Sequence, residues 1–135
     1  MTKLWVLDFQ LPEKVFKNEA LFLWRYGKCI RDNWCFYHKI SDADPRTKPF
    51  DSFTMIQWFG IAIEAKKIDW YTCYPYQLLR GSSIKNPWWQ VKWLTDWGNN
   101  WWVSLVIVYS KKAHKYKIFD FKDLTFNTKY IFDEK

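Results

Sequence analysis

Flat rings and cations are the side chains of this sequence that could do chemistry together. Eleven tryptophans, eight tyrosines and eleven phenylalanines stand among 135 residues that carry a formal charge of +7. Aromatic faces stack on unpaired bases, at about 1–3 kcal/mol per base, while lysine and arginine hold phosphates. At 22% aromatic the chain has more rings than one small core needs, so some are expected to face a ligand. Tyr71, Tyr74 and Tyr76 are the best placed, because Pro75 in a tyrosine-rich segment suits recognition better than packing. The cations expected to hold phosphates are Arg25, Lys28, Arg31, Arg46, Lys48, Arg80 and Lys85. Lys111, Lys112 and Lys115 read instead as a solvated turn on a distant hairpin.

Other chemistries find less support. No serine, cysteine or histidine stands in a nucleophile motif, there is no HExxH, and no paired-carboxylate signature is visible. Cys29, Cys35 and Cys73 are odd in number and lack CxxC spacing, which reads as buried free thiols. His38 and His114 have no second ligand at metal spacing. The expectation is a binding domain that is not an enzyme and needs no cofactor. No apolar run approaches the roughly 20 residues that span a bilayer, and the first residues lack a signal-peptide layout, so a cytoplasmic protein with no membrane partner is expected.

The elements that would position these groups follow from pattern. Lys3 to Leu11 alternates as a mostly buried strand, and Glu13 to Leu23 has near-helical spacing. Asp32 to Ile40 reads as an aromatic strand, and Ser41 to Pro49 as a loop with two prolines. Phe53 to Ala65 reads as one long strand with a bulge or bend at Gly60. Ile68 to Leu79 is an aromatic loop, closed by a turn at Arg80 to Ser83. Trp88 to Leu94 and Trp101 to Tyr109 read as paired strands around the turn signal WGNN, with a last strand at Tyr116 to Phe121 and a helical turn near Asp123. Trp5, Trp34 and Trp93 are expected in the core. Short connections between five or six strands predict an α+β, mainly β fold: a partly closed antiparallel or mixed β-barrel with one or two short helices.

The motif order LWVLDFQ, LFLWRYGK, WCFYHKI, WFGIAIEA, DWYTCYPY and PWWQVKWL resembles the PUA-like superfamily, particularly its EVE and YTH branches, over roughly residues 3 to 110. That resemblance implies base flipping into an aromatic cage, a pocket that accepts a plain or modified base. Trp24 would form one wall, a ring of the tyrosine loop the other, and Asp8 or Gln10 would contact the base edge. The residues alone leave Trp24 open between a pocket wall and a buried helix end. A single PUA-like domain over residues 1–135 further resembles the N-terminal DNA-recognition module of McrB-type modification-dependent restriction systems. It implies DNA in preference to RNA, with a fused or partner AAA+ GTPase and nuclease. The chain has no GxxxxGK[ST] motif of its own. A small protein-binding inhibitor with an exposed aromatic surface is the alternative, separated by salt, because phosphate binding weakens steeply as salt rises.

Overall fold

The computed structural model describes residues 19–32, 34–40, 51–56, 59–79, 90–100 and 102–132. Helix α1 spans Glu19–Asp32, and strands β1, β2 and β3 span Phe36–Lys39, Ser52–Ile56 and Phe59–Ile68. Strand β4 is Thr72–Cys73, followed by a 3-10 turn at Pro75–Leu78. Helix α2 spans Gln90–Asn99, β5 Val103–Ser110, β6 Lys115–Asp120 and β7 Tyr130–Ile131, with a second 3-10 turn at Phe121–Asp123 between the last two strands.

Five strands form one sheet in the order β1-β2-β3-β5-β6. Only β3 and β5 are parallel, with Ile61 opposite Val103 and Ile68 opposite Ser110. A parallel pair needs a crossover, and α2 lies in it. Every residue of β5 is buried, as expected of a strand covered on both faces. On one face Phe22, Leu23, Tyr26 and Ile30 of α1 pack on Ile61, Ile63, Ala65, Leu105 and Ile107. On the other, Leu94 of α2 joins Ala62, Ile68, Val106 and Val108, with Cys73 of β4 and Phe132, just after β7, completing the cluster. Alternate residues of β3 and β5 therefore serve two separate cores.

This is an open, mixed sheet between helices, and the expected barrel is corrected: among the described residues β1 and β6 are the two edge strands and do not pair with each other. The long strand expected over Phe53 to Ala65 is a hairpin, because Met55 pairs with Gly60 and Ile56 with Phe59. Gly60 is needed for close approach rather than for a bend. A Cβ there would meet the indoles of Trp97 and Trp102 at 3.1 Å, and Trp97 Nε1 donates to the Gly60 carbonyl at 3.0 Å.

The strand expected at Trp88 to Leu94 is also corrected, to the start of α2. A seven-residue window fits period 2 as well as period 3.6, and the residues beyond it decide. Val91, Leu94 and Trp97 face the core, while Lys92 and Asp96 pair across the solvent side at 2.8 Å. The expected pairing of this segment with the next strand falls with it. Trp93 is exposed, and Trp34 is 97% exposed, so neither is core; Trp5 lies outside the described residues. The first strand and the proline loop also lie outside them, while the strands expected near Trp101 and Tyr116 are present as β5 and β6.

Helix α1 runs on well past Leu23. It ends where Trp34 adopts a left-handed backbone, φ 65°. The Trp34 amide donates to the Arg31 carbonyl at 2.9 Å and the Cys35 amide to the Ile30 carbonyl at 3.2 Å, which closes the helix and turns the chain into β1. No described helix is long and apolar enough to cross a membrane.

Two outcomes follow from this packing. Gly27 on α1 faces the buried ring of Tyr37, and an added Cβ would fall well inside van der Waals contact with it. Tyr37 is held by its hydroxyl on the Leu23 carbonyl at 3.4 Å, so Gly27→Ala should cost about 1–3 kcal/mol, read by urea unfolding. Burial pushes the Cys73 thiol up to about 11. The folded chain therefore keeps that proton after the unfolded chain has lost it. The resulting stabilisation is complete below the ordinary thiol range and fades as pH rises toward 11. At pH 8, mass spectrometry after brief alkylation should find Cys29 and Cys35, both half-buried, modified before Cys73.

Candidate functional site

An acid in the middle of a buried strand is the feature around which a site can be built. Glu64 lies on β3 between Ile63 and Ala65 and is only 2% exposed. Burying a carboxylate is costly unless charge and hydrogen bonds compensate it. Its Oε2 accepts from Gln90 Nε2 at 2.8 Å and stands 3.5 Å from Lys66 Nζ. Lys66 is two residues along the same strand and so shares its face, while Gln90 is the first residue of α2. The helix thus presents both a side-chain amide and the positive end of its dipole to the acid.

A second carboxylate reaches this strand from the residue just before β2. Ser52 pairs with Ile63, and the Asp51 amide donates to the carbonyl of the same Ile63 at 3.1 Å. Glu64 alternates with Ile63 and Ala65 and so lies on the α2 side of the sheet with Ala62. Asp51 is 8% exposed, and its Oδ2 accepts from the Ala65 amide at 2.8 Å. The carboxylate is thereby fixed on the backbone between Glu64 and Lys66. A cation beside the two carboxylates would offset their charge, as the Lys66 ammonium does for Glu64.

Among the described residues no group of three or more His, Cys, Asp or Glu forms a metal site. Two carboxylates nevertheless suit a hard divalent cation such as magnesium, which keeps several waters and is often completed by substrate phosphate. The fit rests on all-oxygen donors from a rigid hairpin. The arrangement can therefore hold a cation, place an ammonium beside it and keep both behind an apolar wall.

The residues selected from sequence lie elsewhere. Trp24, 61% exposed, is on the outer side of α1 with the half-buried Arg25 and the exposed Lys28 and Arg31. Lys28 pairs with Asp32 at 2.9 Å, and the Arg31 guanidinium sits 5.2 Å over the Tyr37 ring. The tyrosine loop is on the opposite side of the sheet, where Tyr71 packs against the α2-side core. Tyr76 stacks on Phe121 with ring centroids 6.1 Å apart and meets Phe126 edge-on at 5.9 Å. Tyr74 is exposed. Trp24 and these rings do not face one another, so the two-walled base cage is not formed by them. Asp8, Gln10, Arg46, Lys48, Arg80 and Lys85 lie outside the described residues.

No protein-family model matches the chain, and no curated protein matches it. Among solved structures it is similar to the Holliday junction resolvase Hjc of Archaeoglobus fulgidus, at TM-score 0.48 and 15% identity, over 70% of this chain and 73% of that one. The open mixed sheet is not the barrel that the PUA-like, EVE, YTH and McrB-type resemblance implied, and that resemblance is corrected with it. The AAA+ GTPase and nuclease partners rested on the same resemblance and go with it. The non-enzymatic base-flipping reading is corrected as well: α1, which carries Trp24, and the tyrosine loop lie on opposite sides of the sheet, and a buried acid held by an amide and an ammonium stands where the sequence showed no such group.

Metal binding can be read without any reaction. Millimolar magnesium or manganese should raise the melting temperature of the wild type, by the equivalent of about 2.7 kcal/mol at a hundredfold excess over Kd. Asp51→Asn and Glu64→Gln should lose that shift while melting cooperatively in chelator, as followed by circular dichroism.

Proposed function

We propose that this chain is a divalent-cation-dependent phosphodiesterase acting on nucleic acid. The observation that carries the reading is the convergence of two buried acids and an ammonium on one stretch of β3, where Glu64 lies 3.5 Å from Lys66 and the Asp51 carboxylate is held on the Ala65 amide between them. The net charge of +7 and the surplus of aromatic side chains favour a polyanionic substrate with stackable bases.

Hydrolysis adds water across one P–O ester bond, leaving a phosphate monoester and a hydroxyl. Asp51 and Glu64 would hold the cation, which when bound polarises a phosphoryl oxygen and eases deprotonation of water. Gln90 keeps the Glu64 carboxylate in one orientation through its 2.8 Å hydrogen bond. Lys66, whose Nζ lies 3.5 Å from Glu64 Oε2, would donate to the attacking water or a non-bridging oxygen and offset charge that grows in the transition state. The apolar wall of Ala62, Val106 and Leu94 lowers the local dielectric and strengthens each of these interactions.

The test is cleavage of labelled DNA, single-stranded and duplex, resolved on denaturing gels with magnesium or manganese. Wild type should cut, and chelator should stop it. Asp51→Asn, Glu64→Gln and Lys66→Met should each lower the rate by at least about a hundredfold with the fold intact, the scale seen when one electrostatic contributor to a transition state is removed. Full activity in Glu64→Gln would sink the assignment.

A further inference from the structure

The end of the sheet beyond Lys66 carries a second feature. Asp69, Lys111, Lys112 and His114 line an open cleft of about 680 Å³, within the range of small-ligand sites. Trp70 stands beside it, 60% exposed, with Lys112 Nζ 5.6 Å from its ring centroid and Tyr71 edge-on at 5.4 Å. The hairpin that reads in sequence as a distant solvated turn is therefore joined to the aromatic loop.

That junction is built rather than incidental. Ser110 is completely buried; its hydroxyl donates to the Trp70 carbonyl at 2.7 Å and accepts from the Ala113 amide at 3.1 Å. The Lys111 amide donates to the Ile68 carbonyl at 2.9 Å. One hydroxyl thus locks the loop carrying the indole to the turn carrying the cations. Asp69, the only acid lining the cleft among the described residues, is paired with Lys67 at 3.4 Å, which leaves the two hairpin lysines to set the sign of the cleft.

We propose that Trp70, Lys111 and Lys112 form a subsite for an unpaired nucleotide of single-stranded DNA, with the base stacked on the indole and its phosphate held by the lysines. Bases expose their faces only when unpaired, so a solvent-facing indole with an ammonium group beside it and a second in the adjoining cleft selects single strands over duplex. His114, in a left-handed turn at φ 57°, lines the same cleft. From Lys66 to Asp69 is three residues, about 10 Å of strand, or about three stacked nucleotides at 3.4 Å each. This deepens the phosphodiesterase reading and rests on it for the strand's destination, but binding at the cleft is measurable alone.

The experiment is fluorescence anisotropy with a labelled 20-nucleotide single strand and the matching duplex, in chelator so that no cleavage occurs, alongside melting curves. Wild type should prefer the single strand. Trp70→Ala should weaken that binding about tenfold, with Trp70→Phe restoring most of it. Lys112→Ala should weaken it and flatten its salt dependence, while Lys28→Ala on α1 should bind like wild type. Ser110→Ala, which removes no ligand contact, should weaken binding by loosening the two loops. Unchanged affinity in both Trp70→Ala and Lys112→Ala, with normal melting, would overturn the subsite. Trp70-dependent binding by a wild type that never cuts DNA supports the subsite and removes the catalytic reading. Cleavage with Trp70-independent binding does the reverse.

Discussion

The parallel pairing of β3 with β5 is the constraint from which the rest of the molecule follows. Parallel neighbours cannot be joined by a tight turn, so the chain must cross over one face of the sheet, and α2 occupies that path. With α1 on the other face, the two central strands are buried from both sides, which explains the unbroken burial of Val103–Ser110. It also explains why Glu64, one residue of β3, is taken out of water: the face it occupies is the one α2 covers. The crossover that buries the acid supplies the amide that holds it, since Gln90 opens the same helix.

Strands in the second half of the chain were legible in the sequence, and the β2–β3 hairpin and the crossover helix were not. The turn at residues 111–114 and strands β5 and β6 stand close to where alternation and turn chemistry place them. The hairpin of β2 and β3 was hidden because its two arms form one apolar, β-branched run, and no Gly-rich or Asn-Gly turn divides them. The window from Trp88 to Leu94 satisfies two periods at once, and only the later Trp97 and the Lys92–Asp96 pair favour a helix. Once both segments are misread, Asp51 and Glu64 have no reason to meet.

A signal for the site was nevertheless present. Within GIAIEAKKI, Glu64 falls in phase with Ala62 and Ile68, positions that must be buried if the segment is a strand. An acid there needs a partner, the same reasoning that the sequence invites for Asp8, and Lys66 two residues on is the nearest cation that shares its face. The aromatic excess pointed to nucleic acid in general terms but misdirected attention to Trp24 and the tyrosines. Several of those rings serve packing instead, as Tyr71 and Tyr76 do.

The crossover has a kinetic corollary. Asp51 and Glu64 can approach as soon as the β2–β3 hairpin closes, a local event, whereas Gln90 and the covering helix arrive only after a loop of more than twenty residues has been ordered and β5 has docked. Closing long loops before any contact rewards them is what slows folding. The two acids consequently stay hydrated through the early stages of collapse, and their desolvation is deferred to the final docking step, when the amide, the ammonium and the helix dipole are all at hand.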